Sequence, residues 1–230
     1  AAVYDTKQKQ TTKYYYDMTD RMVKYTESGT DYSNSVQWEY DDLNRLTKDT
    51  QVLNGTEYVT NYSYDDDNRI ESLSSGNVSV NYSYDLYSRL NTLISKYNDT
   101  AVVTTEVDYK SVGLNTTQQV DTWTTETSNY AKSYSYTYDN RGNIIAIDDG
   151  ENTTSYEYDS LDQLTRENNE ASGKTWTYEY DSGGNILSKK EYAYTTGALG
   201  ELLDEKTYSY STGELKDQLT SFDGMEIQSD

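Results

Sequence analysis

The sequence predicts an all-β protein built from repeated antiparallel β-hairpins. Three observations predict this class: a tyrosine-aspartate phrase recurs along the 230 residues, tyrosine dominates the large side chains, and turn signals separate the strand-like segments. Only 33% of the residues are hydrophobic, a composition often associated with disorder. However, the chain has 27 Tyr and one Phe. Tyrosine is a strong strand former that buries a large ring and keeps a polar tip, so we expect an ordered sheet.

The recurring phrase is an aromatic residue, any residue, tyrosine, aspartate, three further residues, arginine and an apolar residue. Its spacing of roughly 20 to 30 residues is typical of repeat proteins. Later copies replace the arginine by Asn143, Gln163 or Asn185, and two degenerate copies carry Lys110 or Ser211 at the aspartate position. The residues that we assign to the structural motif are Tyr14, Tyr16, Asp17, Arg21, Trp38, Tyr40, Asp41, Arg45, Leu46, Tyr62, Tyr64, Asp65, Arg69, Ile70, Tyr82, Tyr84, Asp85, Arg89, Leu90, Tyr136, Tyr138, Asp139, Asn143, Tyr156, Tyr158, Asp159, Leu164, Tyr178, Tyr180, Asp181 and Asn185.

Glycine and asparagine turns lie between the copies, so each repeat is predicted to be two strands. Short Asn-Gly and Gly-containing loops favour tight hairpins, and Val, Thr and Tyr flank them. The predicted turns are Asn54-Gly55, Ser75-Gly76-Asn77, Asn98-Asp99, Asp149-Gly150 and Ser172-Gly173. A longer excursion with a helical turn is predicted only for Thr195 to Lys206.

The Tyr-Asp end of each hairpin is predicted to be closed by its aspartate. In the copy YSYDLYSRL, Asp85 and Arg89 face each other across a short loop, and Tyr84 faces Leu90 one step further in. The carboxylate can accept backbone N–H groups of its own loop and can meet the arginine. Asn143, Gln163 and Asn185 would make neutral versions of this contact in the later copies.

The sequence makes one prediction about the tyrosine-bearing face of the sheet and leaves one feature of that face unresolved. We expect tyrosines of neighbouring repeats to lie side by side, with each cross-strand pair contributing about 0.2–1 kcal/mol. Leu73, Leu93 and Ile147 depart from strict alternation. Either β-bulges or a sheet covered on both faces would explain them, and the sequence leaves both alternatives open.

The phrases YxYDxxxRL and YxYDxxGNI resemble the YD repeats of the Rhs/YD-repeat family. This family includes Rhs toxins, shell components of Tc toxin complexes, wall-associated bacterial proteins and teneurins. The resemblance runs over nearly the whole chain, which we therefore interpret as a single array of YD repeats over 1–230. The stretch 207–230 is similar to the lead-in to the family's C-terminal core. Since the chain opens inside a repeat, without Met, we expect it to be a fragment of a longer protein.

The resemblance implies a long curved antiparallel sheet that forms a β-spiral shell around a hollow chamber. In toxins of the family, that chamber holds a C-terminal effector. The family's self-cleavage motif contains proline, and this sequence contains none, so these residues do not carry that motif. The implied location is secreted or at a bacterial cell surface.

Composition narrows the chemistry that the chain can perform. With 19 Lys+Arg against 40 Asp+Glu, the net charge of -21 disfavours nucleic acid and anionic membranes as partners. The absence of His and Cys removes the usual general base and the thiol nucleophile, so we predict no enzyme, no cofactor and no metal site. The carboxylate run Asp65 to Asp67 suits a hard cation, but the repeat register already explains Asp65 and favours a solvated turn.

Two functions remain. The first is a structural shell segment whose partners are the adjacent repeats and the enclosed C-terminal region of its own parent chain. The alternative is a carbohydrate-binding or adhesion module that uses exposed tyrosines and Trp38, Trp123 or Trp176 to hold surface glycans.

Overall fold

The computed structural model describes residues 2–5, 10–211 and 217–227, and within 2–5 it describes the backbone alone. All regular structure in the described chain is β-strand, so the all-β prediction is confirmed. No helix that could cross a membrane is found in this part of the chain. The predicted stretch 207–230 lies partly outside the described residues, and the single array over 1–230 stays a prediction.

The chain divides into two compact units. One comprises residues 1–107 and 125–131, and the other comprises residues 108–124 and 132–230. The first ten strands are β1 (Ala2–Asp5), β2 (Gln10–Tyr16), β3 (Met22–Ser28), β4 (Ser33–Tyr40), β5 (Leu46–Leu53), β6 (Thr56–Tyr64), β7 (Ile70–Ser75), β8 (Val78–Tyr84), β9 (Leu90–Tyr97) and β10 (Thr100–Val112).

The later strands begin after the Gly113-Leu114 turn. They are β11 (Asn115–Glu126), β12 (Ala131–Tyr138), β13 (Ile144–Asp148), β14 (Thr153–Tyr158), β15 (Leu164–Asn169), β16 (Lys174–Tyr180), β17 (Ile186–Ala193), β18 (Leu202–Tyr210), β19 (Leu219–Phe222) and β20 (Met225–Glu226). Each strand pairs antiparallel with the next from β1 to β10 and from β12 to β20, as repeated hairpins require.

The predicted glycine and asparagine turns are present. Asn54 and Gly55 have φ angles of 50° and 83°, and Asn98 and Asp99 have 48° and 61°. Both pairs therefore lie in the left-handed region that two-residue hairpin turns require. Thr195 to Lys206 contains no helical turn, so that prediction is wrong: an irregular segment is followed by β18, which begins at Leu202. Two glycines, Gly197 and Gly200, disfavour a helix there.

A β-bulge in every hairpin that closes at a regular Tyr-Asp turn explains the irregular alternation. In the copy around Asp65, Ser63 pairs with Ser72 but Tyr64 pairs with Ile70, which leaves one extra residue on the returning strand. The same shift precedes the second tyrosine of each copy, for example between Ser83 and Tyr84. Leu73 therefore lies opposite Tyr62, and the bulge alternative accounts for the departure.

The bulged register also corrects the predicted rows of adjacent tyrosines. The first aromatic residue of a copy pairs with a residue of its own returning strand, as Tyr62 does with Leu73 and Tyr82 does with Leu93. That returning strand separates the tyrosines of one repeat from those of the next. Tyr14 and Tyr25, whose ring centroids lie 5.5 Å apart, belong to a single hairpin.

Few described side chains are fully buried, so the sheet is stabilised by many half-buried contacts. Val107 is the buried apolar residue, and the others are polar: Asp49, Thr105, Asn168, Thr175 and Ser188. Such a sheet depends on hydrogen bonds and ring contacts between its hairpins more than on a wide apolar core.

Candidate functional site

The candidate site is the set of Tyr-Asp turns that close the hairpins, four in the first unit and three in the second. In each of the seven regular copies, the aspartate N–H donates to the carbonyl of the residue four positions later, as Asp41 does to Arg45 over 3.0 Å. One carboxylate oxygen accepts two N–H groups of the same loop at 2.8–3.1 Å. The aspartate therefore holds its loop closed.

The second carboxylate oxygen accepts the arginine in the four early copies. The guanidinium Nε of Arg21, Arg45, Arg69 and Arg89 lies 2.7 Å from the aspartate of its own turn. In the later copies, the side-chain amides of Asn143 and Asn185 donate to their aspartates over 3.0 Å. At the third such position, Gln163, the hydrogen bond to Asp159 comes from the backbone N–H, over 3.0 Å.

A residue with a left-handed backbone conformation, that is, a positive φ angle, directly precedes the arginine position in all seven regular copies. Its φ angle is 65° at Asn68 and 89° at Gly184. The full set comprises Asp20, Asn44, Asn68, Ser88, Gly142, Asp162 and Gly184. Sequence analysis missed this feature, although the choice of Asn, Asp, Gly and Ser at one fixed position is its signal, because such residues best tolerate this conformation.

The arginine also reaches the next turn, which the sequence analysis did not predict. The Arg45 guanidinium lies over the Tyr64 ring at 4.6 Å and donates to Asn68 Oδ1 over 2.7 Å. Arg21 makes the same two contacts with Tyr40 and Asn44. Arg69 does so with Tyr84 and Ser88, so these three arginines join their own aspartates to the ring and the loop of the following repeat. The guanidinium of Arg89 instead lies over the ring of Tyr87 in its own loop, at 5.2 Å.

The second tyrosine of a copy forms another link between repeats. Its hydroxyl donates to the carbonyl of the apolar residue that ends the preceding phrase, as Tyr84 does to Ile70 over 2.9 Å and Tyr180 does to Leu164 over 2.8 Å. The same bond is made by Tyr40, Tyr64 and Tyr158, whereas the Tyr138 hydroxyl donates to the carbonyl of Val120 within β11, over 2.9 Å. We call these turns the YD ladder, defined by the Asp17, Asp41, Asp65 and Asp85 loops of the first unit, the Asp139, Asp159 and Asp181 loops of the second, and the contacts between loops within each unit.

Lys110 was predicted to take the aspartate position of a turn, and this is wrong. Lys110 lies inside β10, which continues to Val112 before the chain turns. Its ammonium group donates to the Tyr136 carbonyl over 3.0 Å and lies 5.3 Å from the Tyr138 ring centre. It therefore occupies the place over a tyrosine ring that arginine holds in the early copies. The Ser211 N–H donates to the Gln218 carbonyl over 2.9 Å, and the residues between 211 and 217 lie outside the described chain.

Hydrogen bonds lower the pKa of several ladder carboxylates. The hydrogen bond from Arg89 lowers the pKa of Asp85 despite opposition from burial, and backbone N–H groups of the loop lower it further. For Asp41, the backbone N–H of Arg45 is the largest cause of a lowered pKa. The Asn185 amide is the largest cause for Asp181. Cationic and neutral partners therefore act in the same direction.

Acid should loosen the ladder. A carboxylate whose pKa is lower in the folded state stabilises the fold above its unfolded pKa, near 3.9, and this stabilisation is lost as the pH falls through the folded value. Since the chain has no His, we expect the urea midpoint to change little between about pH 5 and 8. It should fall below about pH 4. A urea series monitored by circular dichroism measures this, and a midpoint that declines mainly between pH 8 and 5 would contradict it.

Replacement of a ladder aspartate should cost more stability than replacement of an exposed one. The sequence alone suggests Asp148→Ala as the control for Asp85→Ala. Asp148 is unsuitable, because its carboxylate accepts the Gly150 N–H at 2.8 Å and the Thr153 hydroxyl at 2.9 Å. We therefore use the exposed Asp66 as the control and expect Asp85→Ala to lower the urea midpoint clearly, whereas Asp66→Ala leaves it nearly unchanged. Equal midpoints would show that the carboxylate does not hold the loop.

The three tryptophans differ in exposure. Trp123 is 39% exposed, whereas Trp38 and Trp176 are half-buried. The Trp176 indole donates to Glu191 over 3.2 Å, and the Lys189 ammonium lies 5.0 Å from its ring centre. Two of the three predicted glycan-contacting residues are therefore partly used by the sheet itself.

The described residues form no cluster of side chains that could bind a metal ion. No group of three or more carboxylate, His or Cys side chains is placed to hold a metal ion among these residues. In the run Asp65 to Asp67, the carboxylates of Asp65 and Asp67 pair with Arg69 at 2.7 and 3.0 Å.

Antiparallel hairpins joined by Tyr-Asp turns define a YD-repeat protein. The sequence profile of the teneurin YD-shell matches residues 59–221, more than two thirds of the chain. The chain therefore belongs to the teneurin YD-shell family, and the predicted YD-repeat resemblance is confirmed. Among curated protein sequences, none matches the chain.

Solved structures share the fold. The crystal structure of TcdB2-TccC3 without its hypervariable C-terminal region is similar over 93% of this chain, with a TM-score of 0.53 and 13% identity. The crystal structure of TcdB2-TccC3 is similar over 93%, with a TM-score of 0.51 and 14% identity. This chain spans 15% and 16% of the lengths of those two chains.

Proposed function

We propose that the chain is a non-enzymatic, structural segment of a YD-repeat shell in a secreted or cell-surface bacterial protein. In this proposal, the shell of the parent protein encloses or displays a C-terminal toxin or effector region. The partners of the segment are then the adjacent repeats and that enclosed region of its own polypeptide.

The observation that carries the proposal is the YD ladder. Its arginines and tyrosine hydroxyls connect one hairpin to the next at regular intervals, for example through Arg45, Tyr64 and Asn68. Contacts repeated in this way make each hairpin depend on its neighbours, as in other repeat architectures. A wall requires this property, whereas a catalytic centre requires groups gathered at one place.

The carboxylates of the ladder are poorly suited to acid catalysis. They already accept hydrogen bonds from their own loops, and several have lowered pKa values, such as Asp41, Asp85 and Asp181. A general acid at neutral pH needs a raised carboxyl pKa instead. Their arrangement supports a structural role.

Limited proteolysis of the full-length parent chain tests the proposal. With an intact ladder, we expect the C-terminal region to resist digestion under conditions that cut an unenclosed control domain. Substitution Tyr84→Ala should open the wall and expose that region, whereas Tyr97→Ala, at an exposed position, should leave it protected. Rapid digestion of the C-terminal region in the unmodified parent chain would contradict enclosure.

A further inference from the structure

One hairpin of the first unit places two tyrosine rings against each other. Tyr14 of β2 lies directly opposite Tyr25 of β3, so both side chains are on one face of the sheet. Their ring centroids are 5.5 Å apart, and the ring planes are inclined by 56°. At this separation the edges of the rings are in van der Waals contact. Both rings are half-buried, so the protein does not enclose either of them.

The tyrosine pair is specific to this copy of the repeat. In the other six regular copies, the first aromatic residue lies opposite a residue that is not aromatic. Those partners on the returning strand are Asp49, Leu73, Leu93, Ile147, Glu167 and Lys189. The geometry of the repeat therefore does not require a second tyrosine at position 25.

A carboxylate lies at the hydroxyl of one tyrosine of the pair. The Tyr25 hydroxyl donates to Glu27 Oε2 over 2.6 Å, a length typical of an O–H group bonded to an ionised carboxylate. The Tyr32 hydroxyl donates to Oε1 of the same carboxylate over 2.9 Å. These two hydrogen bonds lower the pKa of Glu27, and the bond to Glu27 is the largest cause that raises the pKa of Tyr25 to about 12. At neutral pH, a protonated phenol therefore lies beside an ionised carboxylate.

This arrangement favours the one-electron oxidation of tyrosine. A phenol that loses an electron also loses its proton, and Glu27 Oε2 is within hydrogen-bond reach to accept the proton of Tyr25. When Tyr14 is oxidised as well, the two rings are already held in contact, which favours coupling within the pair over coupling between molecules. The chain has no Cys, so no thiol of its own competes for the oxidant.

We propose that Tyr14 and Tyr25 form a site of oxidative cross-linking by a haem peroxidase and hydrogen peroxide. Each phenol gives up one electron and one proton, and the two phenoxyl radicals join through a ring carbon next to each hydroxyl. The hydrogen atoms on those two carbons then move to the oxygens, which restores both phenols. Hydrogen peroxide takes up the two electrons and two protons and becomes two molecules of water. The product, dityrosine, joins β2 to β3 covalently in a chain that has no Cys for a disulfide.

Oxidation of the unmodified chain tests the proposal. The chain is treated at low concentration with haem peroxidase and limiting hydrogen peroxide, digested with trypsin and analysed by tandem mass spectrometry. We expect a peptide that contains residues 14–21 to be joined to one that contains residues 25–45, with the loss of two hydrogen atoms and the new bond between Tyr14 and Tyr25. Links scattered among exposed tyrosines such as Tyr58, with no enrichment of this pair, would overturn the proposal.

Variants make the test specific to the pair and its carboxylate. Tyr14→Phe and Tyr25→Phe keep both rings but remove one phenol each, so either should abolish the link. Glu27→Gln keeps a hydrogen-bond acceptor but is a far weaker base, and it should slow formation of the link by at least about tenfold.

Tyr58→Phe is the matched control, because Tyr58 is 54% exposed and its loss should leave the link unchanged. Circular dichroism shows whether each variant is folded, and the phenylalanine variants decide the question if Glu27→Gln is not. A link between the same two peptides that persists in Tyr14→Phe or Tyr25→Phe would overturn the assignment of the pair. An unchanged rate in folded Glu27→Gln would overturn the role of the carboxylate as proton acceptor.

Discussion

Replacement of Tyr84 by alanine should destabilise the fold by about 2–3 kcal/mol, below the range for a fully buried aromatic ring because this ring is half-buried. The ring lies under the Arg69 guanidinium at 4.6 Å, and its hydroxyl donates to the Ile70 carbonyl over 2.9 Å. Alanine removes both contacts and leaves that carbonyl without this donor. Urea unfolding monitored by circular dichroism measures the loss.

Two further variants separate the ring from the hydroxyl. Tyr84→Phe keeps the ring over which the guanidinium lies and removes only the hydrogen bond, so it should cost about 1 kcal/mol. Tyr97→Ala is the matched control, since Tyr97 is 53% exposed at a hairpin end, and it should cost less than about 1 kcal/mol. Equal losses for Tyr84→Ala and Tyr97→Ala would show that the ladder tyrosine has no special role.

Replacement of Asn68 by valine should cost about 1–2 kcal/mol through the backbone alone. Asn68 has a φ of 65°, a conformation that a β-branched residue adopts poorly. Valine also removes the side-chain oxygen that accepts Arg45 over 2.7 Å. Thermal or urea unfolding of the variant measures the combined effect.

Glycine at the same position distinguishes the two causes. Asn68→Gly permits the left-handed conformation but removes the acceptor, so the difference between the valine and glycine variants reports the backbone strain. We expect valine to be clearly the more destabilising of the two. If glycine destabilises the chain as much as valine, the loop conformation does not determine the choice of residue here.

The sequence predicts the hairpins and the aspartate of each turn, because both depend on local chemistry. The offset from Asp85 to Arg89 fits a loop that closes on itself, and Asn54-Gly55 forms its tight turn from two residues alone. Local signals were therefore sufficient for the hairpins, for their turns and for the family resemblance.

The contacts between repeats could not be predicted in the same way. The bulge opposite Ser63 and Tyr64 sets which residues face each other, and no single residue type marks it. Without that register, the position of Arg45 over the Tyr64 ring could not be predicted. The alternation of residues alone predicts instead that tyrosines of neighbouring repeats lie side by side. The prediction for Lys110 failed for a related reason. Alignment of Lys110 with the aspartate that follows tyrosine in the other copies does not reveal that β10 continues to Val112.

The central claim is that the turns of one repeat stabilise the next through the arginine and the tyrosine. A double-mutant cycle between Arg45 and Tyr64 tests it most directly, because the two belong to consecutive turns and lie 4.6 Å apart. Urea unfolding of the unmodified chain, Arg45→Met, Tyr64→Leu and the double variant gives the coupling free energy. The ladder predicts a favourable coupling of about 0.5–1 kcal/mol, the range for a cation over an exposed aromatic ring. Additive losses, with no coupling beyond experimental error, would contradict the claim that the turns are energetically linked.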